Sequence, residues 1–218
     1  MGDVEAVLSQ IQWLGHDTFR IELGGDKRIY TDPYRIMGGK PGTIVLITHS
    51  HFDHCSPDDV AMLQNAGTTI VATADCGAKL KGRVKTVKPG DHLTVEGVDI
   101  EAVPAYNTNK SFHPQASGWV GYVFNVGGVR VYLAGDTDSI PEMKNVHCDI
   151  ALLPVSGTYV MTAEEAAEAA LVLKPKVAVP MHYGAVVGSE ADARRFKEVL
   201  EGKVEVRILP QTKGVGTP

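Results

Sequence analysis

Three imidazoles and one carboxylate lie within the short segment His49-Ser50-His51-Phe52-Asp53-His54. Imidazole nitrogen and carboxylate oxygen are donor atoms that zinc and similar divalent metals take from proteins. If the segment is extended, alternation places His49, His51 and Asp53 on one side, and His54 points elsewhere unless the chain turns. Such a division of ligands suits two adjacent metal ions. A surface histidine run or an adventitious metal trap is the competing interpretation. It is disfavoured because seating so many polar groups at a strand end without partners is costly.

Two further candidate ligands follow apolar runs elsewhere in the chain. Asp136 follows the run at 129–134, and His182 follows the run at 177–181. Taken singly, an aspartate after a glycine is an ordinary turn residue, and a buried histidine is usually a core residue. Two metal ions require about six to eight protein ligands. The shared placement at strand ends therefore predicts one site assembled from three distant segments.

The elements that must position these residues alternate between β-type runs and helix signals. The run Ile44-Val45-Leu46-Ile47 is apolar at consecutive positions, which predicts a strand buried on both faces. Helices are predicted after the N-cap Ser56, from the capping box that begins at Thr162, and after Ser189. Strands are predicted at 11–14, 18–23, 27–31, 43–48 and 69–72, then in a second meander at 84–87, 92–95, 98–103, 119–126 and 129–134, and then at 150–155, 177–181 and 204–209.

This order of elements predicts the fold class. A meander followed by alternating strands and helices, in both halves, favours an α/β (α+β) fold in which two mixed sheets pack together with helices outside. Because no linker or low-complexity tract interrupts the sequence, residues 1–218 are predicted to form a single domain.

Composition excludes several classes of function. The chain has 218 residues, a net charge of -5 and 6% aromatic residues, which argues against a nucleic-acid surface. No apolar run approaches the roughly 20 residues of a membrane span, so no membrane partner is expected. Three cysteines without a C-x-x-C pair, and a start without a secretory pattern, predict a cytoplasmic protein. Cys55 follows the histidine segment and is interpreted as a structural, hydrophobic residue.

Several motifs spread along the chain resemble one known family. They are Trp13-Leu14-Gly15-His16, Thr31-Asp32-Pro33, the His49–His54 segment, Gly135-Asp136-Thr137, Leu153-Pro154-Val155 with Met161, and Pro180-Met181-His182-Tyr183. The chain resembles the metallo-β-lactamase-fold superfamily, and within it the metal-dependent hydrolases related to ascorbate-6-phosphate lactonase and N-acyl-phosphatidylethanolamine phospholipase D. The resemblance implies a four-layer αββα sandwich with a two-metal site, usually zinc, at one edge; Mn2+ or Fe2+ would also be compatible.

The resemblance also implies individual roles. The first metal would be bound by His49, His51 and a later histidine, for which His113 is preferred over His92 and His147. The second metal would be bound by Asp53, His54 and His182, and Asp136 would bridge the two. Asp53 would also be catalytic, orienting the attacking hydroxide or taking its proton. His16 and Asp32 are interpreted as supporting a ligand or facing the substrate, with a plain turn cap as the alternative. Tyr183 would either assist an oxyanion or pack its ring.

The implied reaction is hydrolysis by a metal-bound hydroxide, acting on an ester, lactone or phosphodiester bond of a small polar substrate. No Gly-x-Ser-x-Gly elbow is present, consistent with a reaction without a serine nucleophile. The alternative is a mononuclear-iron sulfur dioxygenase of the same fold. A di-iron oxygen-reducing protein is disfavoured because it would carry glutamate at His51. The sequence leaves a homo-oligomer open.

Overall fold

The computed structural model describes residues 2–212, which form two mixed β-sheets with five α-helices. The first sheet keeps chain order: β1 (Ile11–Gly15), β2 (Thr18–Gly24), β3 (Lys27–Thr31), β4 (Ile44–Leu46), β5 (Thr69–Ala72) and β6 (Arg83–Thr86). β1, β2 and β3 pair in antiparallel fashion, and β3 to β6 are parallel. The sheet therefore begins as a meander and continues as an α/β unit.

The second sheet repeats this plan. It contains β7 (His92–Val95), β8 (Val98–Pro104), β9 (Val120–Val126), β10 (Val129–Leu133), β11 (Ile150–Pro154), β12 (Val177–Met181) and β13 (Glu205–Val206). β7 to β10 are antiparallel neighbours, whereas β10 to β13 are parallel. The predicted architecture of two mixed sheets with helices is confirmed, and the parallel half of each sheet aligns several strand ends at one edge.

The main core lies between the sheets. Phe19 and Ile21 of β2 join Phe124 of β9 and Val131 of β10 in one buried apolar cluster. Tyr122 of β9 is fully buried, and its hydroxyl donates to the carbonyl of Ile47 at 2.8 Å, so a hydrogen bond ties the sheets together beside the histidine segment.

β4 is buried on both faces, as predicted from its uninterrupted apolar run. Ile44 and Leu46 belong to the cluster between the sheets, whereas Val45 and Ile47 belong to a second cluster on the outer side. That outer cluster includes Val60, so α2 (Pro57–Met62) covers this face of the sheet. A strand enclosed in this way holds the residues that follow it in a defined place.

Local capping signals account for the positions of three helices. Ser56 caps α2, Thr162 forms a capping box at α4 (Ala163–Leu173), and Ser189 forms one at α5 (Glu190–Val199). These residues accept hydrogen bonds from backbone N–H groups that the first helical turn leaves unpaired. The remaining helices are α1 (Val4–Gln10) and α3 (Ala74–Gly77).

Some sequence-based expectations about the elements were wrong. α1 was not predicted, although Asp3 caps it through the N–H groups of Glu5 and Ala6. The strand expected to open the second meander, at 84–87, is β6 and closes the first sheet instead. The strand expected at 204–209 is reduced to two residues. Within 2–212, no helix is both long enough and apolar enough to cross a membrane.

Candidate metal centre

Three strand ends meet at one edge of the sandwich, as the sequence predicted. The residues after β4 lead to His49, those after β10 to Asp136, and those after β12 to His182. Gly135 has φ +64°, and a Cβ there would lie 3.0 Å from the Cβ of Thr48, so glycine allows two of these strand ends to come together.

The histidine segment is not extended throughout; it turns. The carbonyl of His51 accepts hydrogen bonds from the N–H groups of His54, at 3.1 Å, and Cys55, at 2.8 Å. This turn brings His54 back towards His49, with ring centroids 4.1 Å apart. The sequence left open whether His54 faces the same side as His49, His51 and Asp53. Because the chain turns, the side chains of all four residues point to the same region.

One group of candidate ligands consists of His49, His51, His113 and Asp136, whose donor atoms all lie within 4.8 Å of one another. His49 Nε2 is 3.1 Å from His51 Nδ1. His113 Nε2 is 3.1 Å and His49 Nε2 is 3.9 Å from Asp136 Oδ2. His113 comes from the loop after β8, which adds a fourth segment to the three strand ends.

A second group lies beside the first and contains His16, Asp53, His54 and His182. Asp53 Oδ2 is 3.1 Å from His16 Nε2 and 3.9 Å from His54 Nε2. Asp136 faces this group as well: His54 Nε2 is 3.3 Å from its Oδ1, and His182 Nε2 is 3.2 Å from its Oδ2. The carboxylate of Asp136 therefore lies between the two groups, where the resemblance expects a bridging ligand.

The donor atoms of this cluster fit divalent cations. Asp136 Oδ1 and the Nε2 atoms of His54, His113 and His182 are buried and have no hydrogen-bond partner. Although the imidazole nitrogens approach Asp136 closely, they do so without hydrogen-bond geometry. A buried polar atom without a partner costs about 1–3 kcal/mol, and several such atoms facing one point are the arrangement expected around a cation.

Hydrogen bonds behind the rings determine which nitrogen faces the cluster. Thr48 Oγ1 donates to Asp32 Oδ2 at 2.6 Å and lies 3.0 Å from His49 Nδ1, so the hydroxyl oxygen accepts a hydrogen bond from His49 Nδ1–H. Asp32 Oδ2 also accepts from His54 Nδ1 at 2.9 Å. With Nδ1 protonated in both rings, the Nε2 lone pairs of His49 and His54 are left for a metal.

His113 and His182 are held in the same tautomer by different partners. Asn107 Nδ2 donates to the carbonyl of Tyr159 at 3.0 Å, which leaves Asn107 Oδ1 to accept from His113 Nδ1 at 3.0 Å. Ser156 Oγ donates weakly to the carbonyl of Thr158 and lies 2.9 Å from His182 Nδ1. Each Nε2 atom is again directed at the cluster.

The backbone at this site adopts an unfavourable conformation at three positions. His16, Asp32 and His182 have φ angles of 51°, 32° and 60°, the left-handed region that non-glycine residues seldom adopt. The carbonyl of His16 accepts a hydrogen bond from the N–H of His182 at 3.2 Å, so two of these residues hold each other. Residues in such strained conformations persist only where the surrounding packing holds them, and they are found mostly at functional sites.

The electrostatic environment differs between the imidazoles of the metal-free cluster: burial would lower the pKa of His54 and His182, but Asp136 raises both, whereas His16 and His49 are kept neutral. Burial lowers the pKa of His16 to about 4 and holds the pKa of His49 well below its usual range. Burial alone would raise the pKa of Asp136, but the neighbouring His182 and His54 charges hold that pKa well below the ordinary value. Neutral imidazole and ionised carboxylate are the forms that bind metals.

Comparisons with known proteins agree with this geometry. The profile of the β-lactamase superfamily domain matches residues 10–182. The chain belongs to this superfamily. A UPF0173 metal-dependent hydrolase of Thermococcus onnurineus is 35% identical, over 92% of this chain and 96% of that protein. One from Methanopyrus kandleri is 33% identical over the same shares. The solved structure of Igni18, a metallo hydrolase of Ignicoccus hospitalis, has a TM-score of 0.76 and 26% identity, covering 93% of this chain and 95% of that one.

The protein is therefore a metal-dependent hydrolase of the metallo-β-lactamase superfamily, and the family and fold inferred from the sequence are confirmed. The narrower kinship with ascorbate-6-phosphate lactonase and N-acyl-phosphatidylethanolamine phospholipase D stays a prediction.

Some candidate residues of this superfamily member lie away from the cluster. His92 has a 68% exposed side chain and lies 4.0 Å from Glu101, and His147 is exposed. Tyr183 packs its ring against Trp13, with centroids 4.6 Å apart, which is the packing role the sequence left open. Cys55 is buried in the cluster beneath α2, in keeping with a structural role.

Sequence reasoning missed Asp17. Its side chain is fully buried, both carboxylate oxygens lack a hydrogen-bond partner, and Oδ2 is 3.9 Å from His54 Nδ1. Burial raises the pKa of Asp17 to about 7. The Gly-His-Asp sequence in which it lies reads as an ordinary turn, so no local signal distinguishes it.

Proposed function

We propose that the protein binds two divalent cations and uses them to hydrolyse an ester, lactone or phosphodiester bond. The observation that carries this proposal is the pair of adjacent ligand groups on either side of Asp136. Imidazole nitrogens with carboxylate oxygens make Zn2+ the best match, and Mn2+ or Fe2+ is compatible with the same donors. When bound, two such cations acidify a water molecule and polarise the substrate oxygen.

The ligand roles divide between the two groups. His49 Nε2, His51 Nδ1 and His113 Nε2 would hold one cation, and Asp53, His54 Nε2 and His182 Nε2 would hold the other. Asp136 would contact both.

Asp53 is the side chain proposed to handle the proton. Its Oδ2 accepts from His16 Nε2 at 3.1 Å, and its side chain keeps 11% of its surface exposed, unlike the fully buried Asp32. Burial would raise the pKa of Asp53, but the His16 hydrogen bond and the His54 charge lower it, so the carboxylate is ionised at neutral pH. An ionised carboxylate at the edge of the site can orient an attacking water and accept its proton.

His16 is proposed to position Asp53 and to take no part as a ligand. Its Nε2–H donates to Asp53, which fixes the direction of the carboxylate.

Trp119 closes another side of the site, with its ring centroid 5.0 Å from that of His49 and 4.8 Å from that of His51. The indole N–H donates to Asp75 at 2.9 Å, so the ring is held as a wall that limits the access of water.

The test is metal analysis of the purified protein, combined with a panel of ester, lactone, phosphodiester and thioester substrates. We expect two metal ions per chain and turnover of at least one class. His51→Ala and Asp136→Ala should lose metal and activity together, whereas His92→Ala, at an exposed histidine, should lose neither.

Two results would contradict the proposal. Full metal content and full activity in both His51→Ala and Asp136→Ala would show that the ligand assignment is wrong. One iron per chain, with oxygen consumed in the presence of a persulfide, would instead identify the mononuclear-iron dioxygenase that the sequence left as the alternative.

A further inference from the structure

Two phenylalanines are exposed beside the candidate ligands. The chain has five, and Phe19, Phe124 and Phe196 are almost fully buried in the core. Phe52 and Phe112, in contrast, are 67% and 49% exposed. Single exposed apolar residues are common on proteins, but both of these adjoin a candidate ligand in sequence, since Phe52 lies between His51 and Asp53, and Phe112 precedes His113.

Each exposed phenylalanine is half of an aromatic pair. Phe52 makes an edge-to-face contact with Tyr34, with ring centroids 5.9 Å apart, and the Tyr34 ring is 5.8 Å from that of His16. This pair therefore borders the ligand group that contains Asp53. Arg35 places its guanidinium 5.0 Å from the Tyr34 ring centroid, which helps to hold that ring.

The second pair borders the other ligand group. Phe112 makes an edge-to-face contact with Tyr159 at 4.6 Å, and the Tyr159 carbonyl accepts from Asn107, the residue that orients His113. Tyr159 has a φ of 71°, which is rare for a bulky residue. The surrounding loop thus maintains a strained conformation that keeps this ring beside Phe112 and its carbonyl on Asn107.

We infer that the Tyr34–Phe52 and Tyr159–Phe112 pairs recognise the substrate, and that the substrate is an ester or lactone carrying apolar groups on both sides of the scissile bond. This inference rests on the proposed function and deepens it. A scissile group between the two metal positions would extend one substituent towards each pair. The sequence led us to expect a small polar substrate, whereas the substrate inferred here is polar only at its centre.

The charges near one pair agree with an uncharged substituent there. Lys110 shares a loop with Phe112, but its ammonium group is 2.6 Å from Asp138 and 3.8 Å from Glu165. Because this cation is already ion-paired with two carboxylates, the arrangement favours an alkyl or aryl group over an anionic one.

The test measures binding and needs no turnover. Hydroxamates chelate metals and can be extended with alkyl chains on the carbonyl side or on the nitrogen, which provides one arm for each pair. Calorimetric titration of the metal-loaded protein should show Kd falling about threefold to fourfold per added methylene in both series, the factor expected for burying a CH2 group.

Variants should separate the two pairs. Phe52→Ala should flatten the dependence of Kd on chain length in one series, and Phe112→Ala should flatten it in the other. Phe52→Leu and Phe112→Leu should retain most of the dependence because they keep apolar surface. Leu171→Ala, which removes an exposed apolar side chain on α4, should behave as wild type.

The outcomes distinguish this inference from the function on which it rests. If acetohydroxamate binds but longer chains bind no more tightly, or if both alanine variants keep the wild-type dependence, the aromatic pairs do not recognise substrate and the inference is overturned. If no hydroxamate binds to protein loaded with two metal ions, the proposed hydrolytic centre is itself refuted.

Discussion

Replacing Asn107 by alanine tests whether the hydrogen bonds behind a histidine make it a metal ligand. Asn107 Oδ1 accepts from both the backbone N–H and Nδ1 of His113, each at 3.0 Å, and Asn107 Nδ2 donates to Tyr159. These hydrogen bonds join the Asn107 side chain to His113 and Tyr159, and His113 belongs to one ligand group, so the change should affect one metal position selectively.

The magnitude follows from these three hydrogen bonds. Losing the partner that orients a ligand histidine lowers metal affinity by about tenfold to a hundredfold, equivalent to about 1.4–2.7 kcal/mol. The metal-free protein should also lose on the order of 3 kcal/mol of unfolding free energy, taking about 1 kcal/mol for each hydrogen bond.

Metal affinity is measured by competition with a chromophoric chelator, and stability by urea unfolding of the chelator-treated protein. Asn107→Asp should preserve most of the affinity because a carboxylate still accepts from His113. Asn109→Ala, on the same loop, is the control, since that side chain contacts Lys110 and Glu165 and no candidate ligand. If Asn107→Ala binds both metal ions as tightly as wild type, the reasoning that places His113 in the metal site is refuted.

Two further predictions concern metal removal and pH. At free Zn2+ of about 100 times Kd, the metal should add about 2.7 kcal/mol; with about 2–4 °C per kcal/mol for a chain of this size, chelation should lower Tm by about 5–10 °C in a calorimetric scan. In Asp136→Ala, chelation should change Tm very little. A wild-type Tm that neither chelator nor added zinc changes would contradict this prediction. His16, whose pKa burial lowers to about 4, is neutral in the folded state, whereas the unfolded chain binds a proton below about 6.5. His16 should therefore contribute on the order of 3 kcal/mol less to the stability of the metal-free protein at pH 4 than at about pH 6.5. In urea unfolding, His16→Gln should lose less stability over this pH range than wild type, and equal losses would refute a buried neutral His16.

Local patterns in the sequence accounted for much of the fold. β4 is buried on both faces because apolar residues at consecutive positions leave neither face for solvent, and Val45 and Leu46 do enter different clusters. Ser56 and Thr162 mark helix starts because a cap bonds to groups two or three residues away. Interactions of such short range can be inferred from neighbouring residues alone.

The kinds of candidate ligand were also evident from the sequence, but their arrangement was not. His54 faces the cluster because the carbonyl of His51 accepts two backbone N–H groups and turns the chain. β6 was assigned to the wrong sheet because the sequence pattern of a strand indicates which of its faces are buried but does not indicate which strand it pairs with. Sheet membership depends on pairing with β5, which is separated from it by α3.

The sequence by itself determined that strand ends carry imidazoles and carboxylates able to bind metals, because residue type and spacing state that chemistry directly. Tertiary structure alone decided which atoms face the centre. Asn107 reaches the Tyr159 carbonyl across 52 positions, and Ser156 reaches His182 across 26. The contacts of Asp17 with His54, and of Phe112 with Tyr159, likewise join residues that are far apart in the sequence. Chain closure over such separations depends on packing of the whole sandwich, which no short pattern encodes.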